Sequence, residues 1–133
     1  MVRFSVIGDM GSGNNYQYQV ANSLHYIINK LKSSFVCGLG DNIYDSGCNS
    51  PDDNQFITKF EKPYSKISDD TKFFMCLFNH DYGSLLGLIN IDNSINQILY
   101  SRLSQQNNQK WILPDKYYTF KKGNIQFYVL DTN

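Results

Sequence analysis

The sequence predicts an α/β fold built around a parallel sheet. Three short apolar segments alternate with two segments of helical periodicity, and the order strand, helix, strand, helix, strand is typical of βαβ units. Each apolar segment ends in polar residues, Gly-Asp twice and Asn-His-Asp once, as expected where strands turn into loops. The length of 133 residues fits a single domain unit, residues 1–133.

The first half of the chain contains two predicted strands with a helix between them. Residues 2–7 are rich in β-branched and aromatic side chains and end in a Gly-Asp turn, which indicates a strand. Residues 35–39 form the second apolar run, again closed by Gly-Asp, and the polar residues 46–54 predict a loop. The helix between the strands covers residues 16–31, where apolar side chains recur at helical spacing: Val20, Leu24, Ile27, Ile28 and Leu31.

The second half begins with a short helix and ends in a hairpin. Phe56, Ile57 and Phe60 predict a helix that stops near Pro63, and residues 73–78 are the third apolar run. Residues 117–131 indicate two strands about a Lys-Gly-Asn turn. A further helix is expected over residues 91–103 from the spacing of Ile91, Ile95, Ile98, Leu99 and Leu103.

The charge balance argues against nucleic-acid and membrane partners. The chain has 12 basic and 12 acidic side chains, so its formal net charge is zero, and it contains no basic tract. Its apolar stretches are interrupted within a few residues, which is too short for a bilayer span. Residues 1–7 lead directly into a strand without the features of a secretory signal, so a cytoplasmic location is the default expectation.

Polar side chains follow each of the three predicted strands. Asp9 follows the first, Asp41 and Tyr44 the second, and Asn79 and His80 the third. Because the carboxyl ends of parallel strands meet at one edge of a sheet, we expect these residues to converge there. Except for His80 they are oxygen donors, which suits Mn, Fe, Mg or Zn, and a central carboxylate can bridge two ions.

The segments GDMG, GDNIYD and FNHD resemble the first three sequence blocks of the metallophosphoesterases. Tyr44, three residues after Asp41, narrows the resemblance to the purple, tartrate-resistant acid phosphatases. Further similarity lies in the segments FITKFEKPYS, ILYSRLS and WILPDKYYTF, so the resemblance extends over most of the chain. It implies a layered α/β/β/α sandwich, of which this chain is an incomplete N-terminal portion with βαβαβ units and a C-terminal hairpin.

The resemblance implies a hydrolase of phosphate monoesters that uses two metal ions and a metal-bound hydroxide. Asp9, Asp41 and Tyr44 would bind the first metal, an iron(III), whose phenolate ligand gives such enzymes their purple colour. Asp41 would bridge to the second metal, which is Fe, Zn or Mn in this family. The amide oxygen of Asn79 would also bind the second metal.

The resemblance also assigns roles around the metals and shows two departures. His80 would assist the chemistry as a catalytic residue beside the substrate, and Asp81 would orient its neighbours without binding metal. Phe78 stands where the family has Gly, so a position that needed a positive φ would be distorted here. The family supplies three further His ligands from its second half, whereas no His follows His80 in this sequence.

Four interpretations are compatible with these residues. The chain is an active phosphatase, or a catalytically inactive truncated remnant, or a half-protein completed by a complementary C-terminal chain that covers an exposed apolar sheet face. A different class is a nucleotide- or phosphate-binding module, suggested by the glycine-rich loop GDMGSGNN before a helix. That loop fits neither the dinucleotide fingerprint nor the P-loop. Members of the purple acid phosphatase branch are often secreted, in contrast to the default cytoplasmic expectation.

Overall fold

A four-stranded parallel sheet forms the centre of the structure, a computed structural model that describes residues 1–83, 90–107 and 109–132. Residues 84–89, 108 and 133 of the predicted domain lie outside the described part. The strands are adjacent in chain order: β1 (Ser5–Ile7), β2 (Phe35–Gly38), β3 (Lys72–Met75) and β4 (Trp111–Ile112). Val6 lies opposite Cys37, and Cys37 lies opposite Phe74. The predicted parallel sheet is confirmed, while β4 is an additional strand that the sequence did not predict.

The helices lie between the strands, as predicted. Helix α1 (Asn15–Leu31) begins at Asn14, whose side chain accepts a hydrogen bond from the Gln17 N–H. Helix α2 (Asn54–Phe56) continues into one π-helical turn, Ile57–Glu61. After β3 come a 3-10 turn and a longer helix: Asn79–Tyr82 and α3 (Ile91–Gln106).

The main core lies between the helices and one face of the sheet. Phe73 and Trp111 project from β3 and β4 into this core and are fully buried. Phe60 packs edge-on against both, with ring centroids 5.2 Å from Phe73 and 4.8 Å from Trp111. The same core contains apolar side chains from α1 and α3, among them Leu24 and Ile98. This face of the sheet is therefore closed by packed aromatic and aliphatic side chains.

Both long helices are confirmed, but each is turned relative to its expected apolar stripe. In α1 the buried side chains are Gln17, Ala21, Leu24 and Ile28, while Val20, Ile27 and Leu31 are exposed. In α3 the exposed side chains include Ile91, Ile95 and Leu103. The side that α3 buries is largely polar: Asn93, Ser94, Gln97, Ser101 and Ser104, with Ile98 and Tyr100.

The predicted hairpin is confirmed and packs on the other face of the sheet. It consists of β5 (Tyr118–Lys122) and β6 (Ile125–Val129), paired antiparallel about a turn at Gly123. The Phe120 ring stacks on Phe74 with centroids 3.8 Å apart. The cover is partial, because Val6 and Leu39 beside the hairpin are each more than half exposed. None of the helices within the described ranges is long and apolar enough to cross a membrane.

Candidate metal centre

The loops that follow β1 and β2 are joined to each other by backbone hydrogen bonds. The three bonds run from Asp9 N to Gly40 O (3.1 Å), from Met10 N to Asp41 O (3.2 Å) and from Tyr44 N to Gly11 O (3.0 Å). Gly11 is required for this approach, because a Cβ there would lie 1.7 Å from the carbonyl oxygen of Asn42. The two loops therefore form one unit at the carboxyl edge of the sheet, where the sequence predicted a site.

Asp9 and Asp41 occupy equivalent positions in their loops and share an unusual backbone conformation. Their φ angles are +52° and +51°, in the left-handed region that Asp tolerates better than most residues. Each therefore turns the chain sharply at the end of its strand. Conformations of this kind are concentrated at functional sites, where the surrounding structure holds them in place.

Three oxygen-bearing side chains converge at this edge. The Tyr44 hydroxyl lies 2.5 Å from Oδ1 of Asp9 and 3.0 Å from Oδ2 of Asp41, and it can donate its hydrogen to either carboxylate. Burial and the hydrogen bonds to Asp9 and Asp41 raise the pKa of Tyr44 well above its usual value. Asp41 is 5% exposed, whereas Asp9 is open to solvent. The predicted residues Asp9, Asp41 and Tyr44 are therefore brought together.

The carboxylates of this cluster have no cationic partner within the described residues. Among the described residues, an ion pair joins Lys110 and Asp69, and neither of them belongs to the cluster. The Lys59 ammonium instead donates to the backbone carbonyl of Tyr44 and to Gln55 Oε1. Two carboxylates, one of them buried, beside a phenol form a donor set that fits a hard or borderline cation.

This donor set contains a phenol in addition to carboxylates, unlike metal sites formed only by His, Cys, Asp and Glu. Within the described residues, no three side chains of His, Cys, Asp or Glu are grouped so as to hold a metal. The third oxygen of the cluster at Asp9 and Asp41 comes instead from the phenol of Tyr44. A metal bound here would therefore need further ligands besides Asp9, Asp41 and Tyr44.

His80 lies beside the cluster, on the 3-10 turn after β3. Its backbone N–H donates to Oδ1 of Asp41 at 3.0 Å, and its ring centroid is 4.6 Å from that of Tyr44. Nδ1 lies 2.7 Å from the carbonyl oxygen of Asp45. Since a carbonyl only accepts, Nδ1 carries the hydrogen, and Nε2 is the nitrogen that can serve a ligand. Asn79 precedes His80 at the start of the same turn and is half-buried.

Phe78 does not distort the loop, contrary to the concern raised by its replacement of Gly. Its backbone is extended, with φ −142° and ψ −176°, a conformation open to any residue, and its side chain is 47% exposed. The need for glycine lies in the neighbouring loop instead. Gly40 has φ +94°, and a Cβ there would lie 2.5 Å from the Cβ of Phe78.

Asp81 is fully buried directly behind the cluster. Its carboxylate accepts hydrogen bonds from the backbone N–H groups of Asn42 at 2.8 Å and Phe78 at 3.0 Å, and from the side chain of Gln97 at 2.9 Å. Burial raises the pKa of Asp81 to about 6, although these hydrogen bonds act in the opposite direction. No sequence pattern singles out Asn42 or Gln97, and the apolar spacing of α3 predicts that Gln97 lies on the solvent side of the helix.

The glycine-rich loop before α1 satisfies its own donors. The Gly13 N–H donates to Gln17 Oε1 at 2.7 Å, and the Gln17 N–H donates to Oδ1 of Asn14 at 3.1 Å. These bonds use backbone donors at the N-terminus of α1 that a phosphate group would otherwise accept from.

Comparison with known proteins gives a consistent group of relatives, although no family model matches the chain. Purple acid phosphatase 7 of Arabidopsis thaliana is 30% identical over 131 residues, which is 98% of this chain and 37% of the relative. Purple acid phosphatase 3 of the same organism is 42% identical over 82 residues, 61% of this chain and 22% of the relative. Tartrate-resistant acid phosphatase type 5 of Oryctolagus cuniculus is 28% identical, with 98% of this chain and 41% of the relative covered.

A solved structure has a similar fold. It is described as GAP50, the anchor in the inner membrane complex of Plasmodium, and it superposes with a TM-score of 0.69 at 24% identity. The superposition covers 96% of this chain and 39% of that structure. The chain spans about two fifths of the length of the relatives that it matches from end to end. The sequence resembles the purple and tartrate-resistant acid phosphatases over nearly all its residues, and its α/β structure matches a fragment of a metallophosphoesterase-like fold.

Proposed function

We propose that residues 1–133 are the N-terminal portion of a metallophosphoesterase domain that hydrolyses phosphate monoesters at a dinuclear metal centre. The observation that carries this proposal is that the Tyr44 hydroxyl lies within hydrogen-bonding distance of two carboxylates, 2.5 Å from Asp9 Oδ1 and 3.0 Å from Asp41 Oδ2. The relatives are acid phosphatases by name, which supports the reaction class. In the described part of the chain no lysine or arginine forms an ion pair with Asp9 or Asp41, and two unpaired carboxylates beside a phenol are an electrostatic setting that favours cation binding.

The first metal, an iron(III), would be held by Asp9, Asp41 and Tyr44. Asp41 is placed to share its carboxylate with a second ion, Fe, Zn or Mn, because it lies between Tyr44 and the backbone of the 3-10 turn. Asn79, at the start of that turn, would offer its amide oxygen to the second ion. Two such ions, when bound, supply Lewis-acid activation of water and neutralise charge on a phosphoryl group.

His80 acts on the substrate rather than on a metal in this proposal. The bond between Nδ1 and the carbonyl of Asp45 fixes the tautomer and the orientation of the ring. When the ring is doubly protonated, Nε2 also carries a hydrogen, which it could give to the departing alcohol oxygen or share in a hydrogen bond with a phosphoryl oxygen. The contact between the His80 and Tyr44 rings keeps this nitrogen beside the carboxylate cluster.

The test is hydrolysis of para-nitrophenyl phosphate by the chain with iron(III) and zinc added, compared with the same assay in excess chelator. We expect turnover that requires metal and is lost in Asp41→Asn, because the substitution removes the shared charge. Asp45→Asn is the matched control, since the exposed Asp45 enters the site only through its backbone carbonyl. Hydrolysis that persists in chelator and in Asp41→Asn would contradict the proposal.

A half-protein completed by a complementary chain is the second candidate. It is supported by the apolar side chains left open beside the hairpin, Val6 at 51%, Leu39 at 57% and Leu130 at 65% exposed, and by the greater length of the relatives. Co-expression with the part of a purple acid phosphatase that lies outside the matched region tests this candidate. We expect a stable complex with metal-dependent activity, whereas a chain that stays monomeric and gains no activity would count against it.

An inactive remnant and a nucleotide-binding module are the remaining alternatives. The remnant predicts that metal binds weakly and that no phosphate ester is turned over, even in the completed complex. The nucleotide module is less well supported, because Gly13 and Gln17 at the N-terminus of α1 already donate within the loop. Binding of ATP to the chain in the presence of chelator would revive it, and we expect none.

A further inference from the structure

Three buried polar side chains form a closed hydrogen-bonded triangle behind the candidate metal centre. Asn42, Asp81 and Gln97 are 1%, 0% and 0% exposed. The amide of Gln97 donates to Oδ1 of Asp81 at 2.9 Å and accepts from the amide of Asn42 at 3.2 Å. The backbone N–H of Asn42 closes the triangle by donating to the same Asp81 oxygen at 2.8 Å. We call these three residues the buried polar triangle.

The triangle joins three separate parts of the chain. Asn42 belongs to the loop after β2, Asp81 to the 3-10 turn after β3, and Gln97 to the middle of α3. Two further bonds tie the triangle to the backbone on the β3 side. The amide of Asn42 donates to the carbonyl of Cys76 at 2.8 Å, and Oδ2 of Asp81 accepts from the Phe78 N–H at 3.0 Å.

The candidate ligands lie immediately next to these anchored positions. Asp41 precedes Asn42, and Asn79 and His80 lie between Phe78 and Asp81. The hydrogen bond from the His80 N–H to Asp41 Oδ1 spans the gap between the two loops on the site side. The triangle therefore lies where it can set the separation between the Asp41 carboxylate and the turn that carries Asn79 and His80.

We propose that Gln97 is a positioning residue for the metal centre, acting through Asn42 and Asp81. This inference rests on the proposed function, because it concerns the same ligands. Gln97 donates to Asp81 in one loop and accepts from Asn42 in the other. Because it is bonded to both loops, it can hold them at a fixed distance, which a bond to one loop alone could not do. Polar groups behind metal ligands commonly have this orienting role, and the oxygen and the nitrogen of the buried Gln97 amide are both hydrogen-bonded.

The test compares Gln97→Met with Gln105→Met. Methionine is close to glutamine in size and removes both hydrogen bonds of Gln97, whereas Gln105, on the same helix, is exposed and bonds to Ser101 only through its amide. We expect Gln97→Met to weaken iron(III) binding by about 10- to 100-fold and Gln105→Met to leave it unchanged.

A second readout needs no metal. Amide hydrogen exchange of the His80 N–H, which donates to Asp41, should accelerate in metal-free Gln97→Met, while exchange at Leu24 in α1 stays the same. A folded Gln97→Met protein with unchanged iron affinity and unchanged His80 exchange would overturn the inference. If wild-type protein binds no iron, the proposed function fails, and the exchange result alone decides the inference.

A variant on the opposite side of the triangle covers the case in which Gln97→Met does not fold. Asn42→Ala removes the amide that bonds to Gln97 but keeps the backbone N–H that donates to Asp81. We expect the same loss of His80 protection and of iron affinity. Loss of cooperative unfolding in both variants would assign the triangle to folding and would overturn the positioning role.

Discussion

The two faces of the parallel sheet are covered to different degrees. On the helix-covered face, Val36, Phe73 and Trp111 have no exposed surface. On the hairpin-covered face, Val6 and Leu39 are 51% and 57% exposed. The first face is closed by helices that lie between the strands in sequence, while the second is closed only in part by a two-stranded hairpin.

The candidate metal centre is connected to the well-packed face of the sheet and not to the partly exposed one. The candidate ligands stand on loops that continue from strands of the closed core, and those loops are bonded to each other through their backbones. The convergence of Asp9, Asp41 and Tyr44 therefore depends on the helix-covered face of the sheet. The hairpin-covered face leaves apolar side chains such as Val6 and Leu39 exposed to solvent.

Neighbouring phenylalanines on β3 give the largest expected effect and the most direct test of the comparison. Phe73 points into the closed core, and Phe74 points towards the hairpin. We expect Phe73→Ala to lower the free energy of unfolding by about 3–5 kcal/mol, as for other buried aromatic side chains. Phe74→Ala should cost about half as much, because less of its surface is removed from water. Urea denaturation of the two variants measures both, and equal losses would mean that the faces are equally complete.

Two glycines with positive φ extend the comparison to the loops. Gly40→Ala places a methyl group 2.5 Å from the Cβ of Phe78, in addition to its φ of +94°, so we expect a loss of about 3 kcal/mol or more. Gly123→Ala in the hairpin turn approaches only a methyl group of Val2, at 3.1 Å, and should cost about 1 kcal/mol. Thermal unfolding of both variants decides the point, and a larger shift for Gly123→Ala would reverse the proposed order.

A helix cap gives a smaller, pH-dependent effect. Asp53 caps α2 by accepting from the Gln55 N–H, and it also accepts from the Asn49 N–H. Burial acts to raise the pKa of Asp53, but these hydrogen bonds and the Lys59 charge lower it overall. Because the folded pKa lies below the unfolded value of 3.8, the ionised cap stabilises the fold above about pH 4 and less as the pH falls through the folded pKa.

We therefore expect Asp53→Ala to cost about 1 kcal/mol at neutral pH and progressively less below pH 4. Asp52→Ala is the control, since Asp52 is held only by the hydroxyl of Ser50. Denaturant unfolding at pH 7 and pH 3 measures the difference. A penalty that is the same at both values would show that the charge of the cap is irrelevant.

The sequence predicted the parts of the fold that local pattern encodes. Strands β1 to β3 follow from short apolar runs closed by polar turns, and the hairpin follows from two apolar runs about Gly123. The convergence of Asp9, Asp41 and Tyr44 followed from the topology, since parallel strands deliver their carboxyl ends to one edge. The left-handed backbone at Asp9 and Asp41 was not anticipated, although Asp is one of the few residues that accept it.

The features that the sequence did not predict depend on distant contacts. Strand β4 has two residues, too few for a periodic signal, and its pairing opposite Phe73 and Phe74 is set by the path of α3. Helix α3 buries Gln97 and other polar side chains instead of most of its apolar stripe, because this side of the helix hydrogen-bonds to the loops of the candidate site. Hydrophobic periodicity alone assigns such a helix face to solvent.

The visible absorption spectrum of the chain titrated with iron(III) tests most directly whether Tyr44 and the two carboxylates of Asp9 and Asp41 form the proposed metal centre. A phenolate bound to iron(III) gives the colour that the resemblance implies. We therefore expect an absorption band that appears with iron, is absent from Tyr44→Phe and is retained in Tyr128→Phe, where the tyrosine is 71% exposed on the hairpin. Identical spectra for the wild type and Tyr44→Phe would contradict the account.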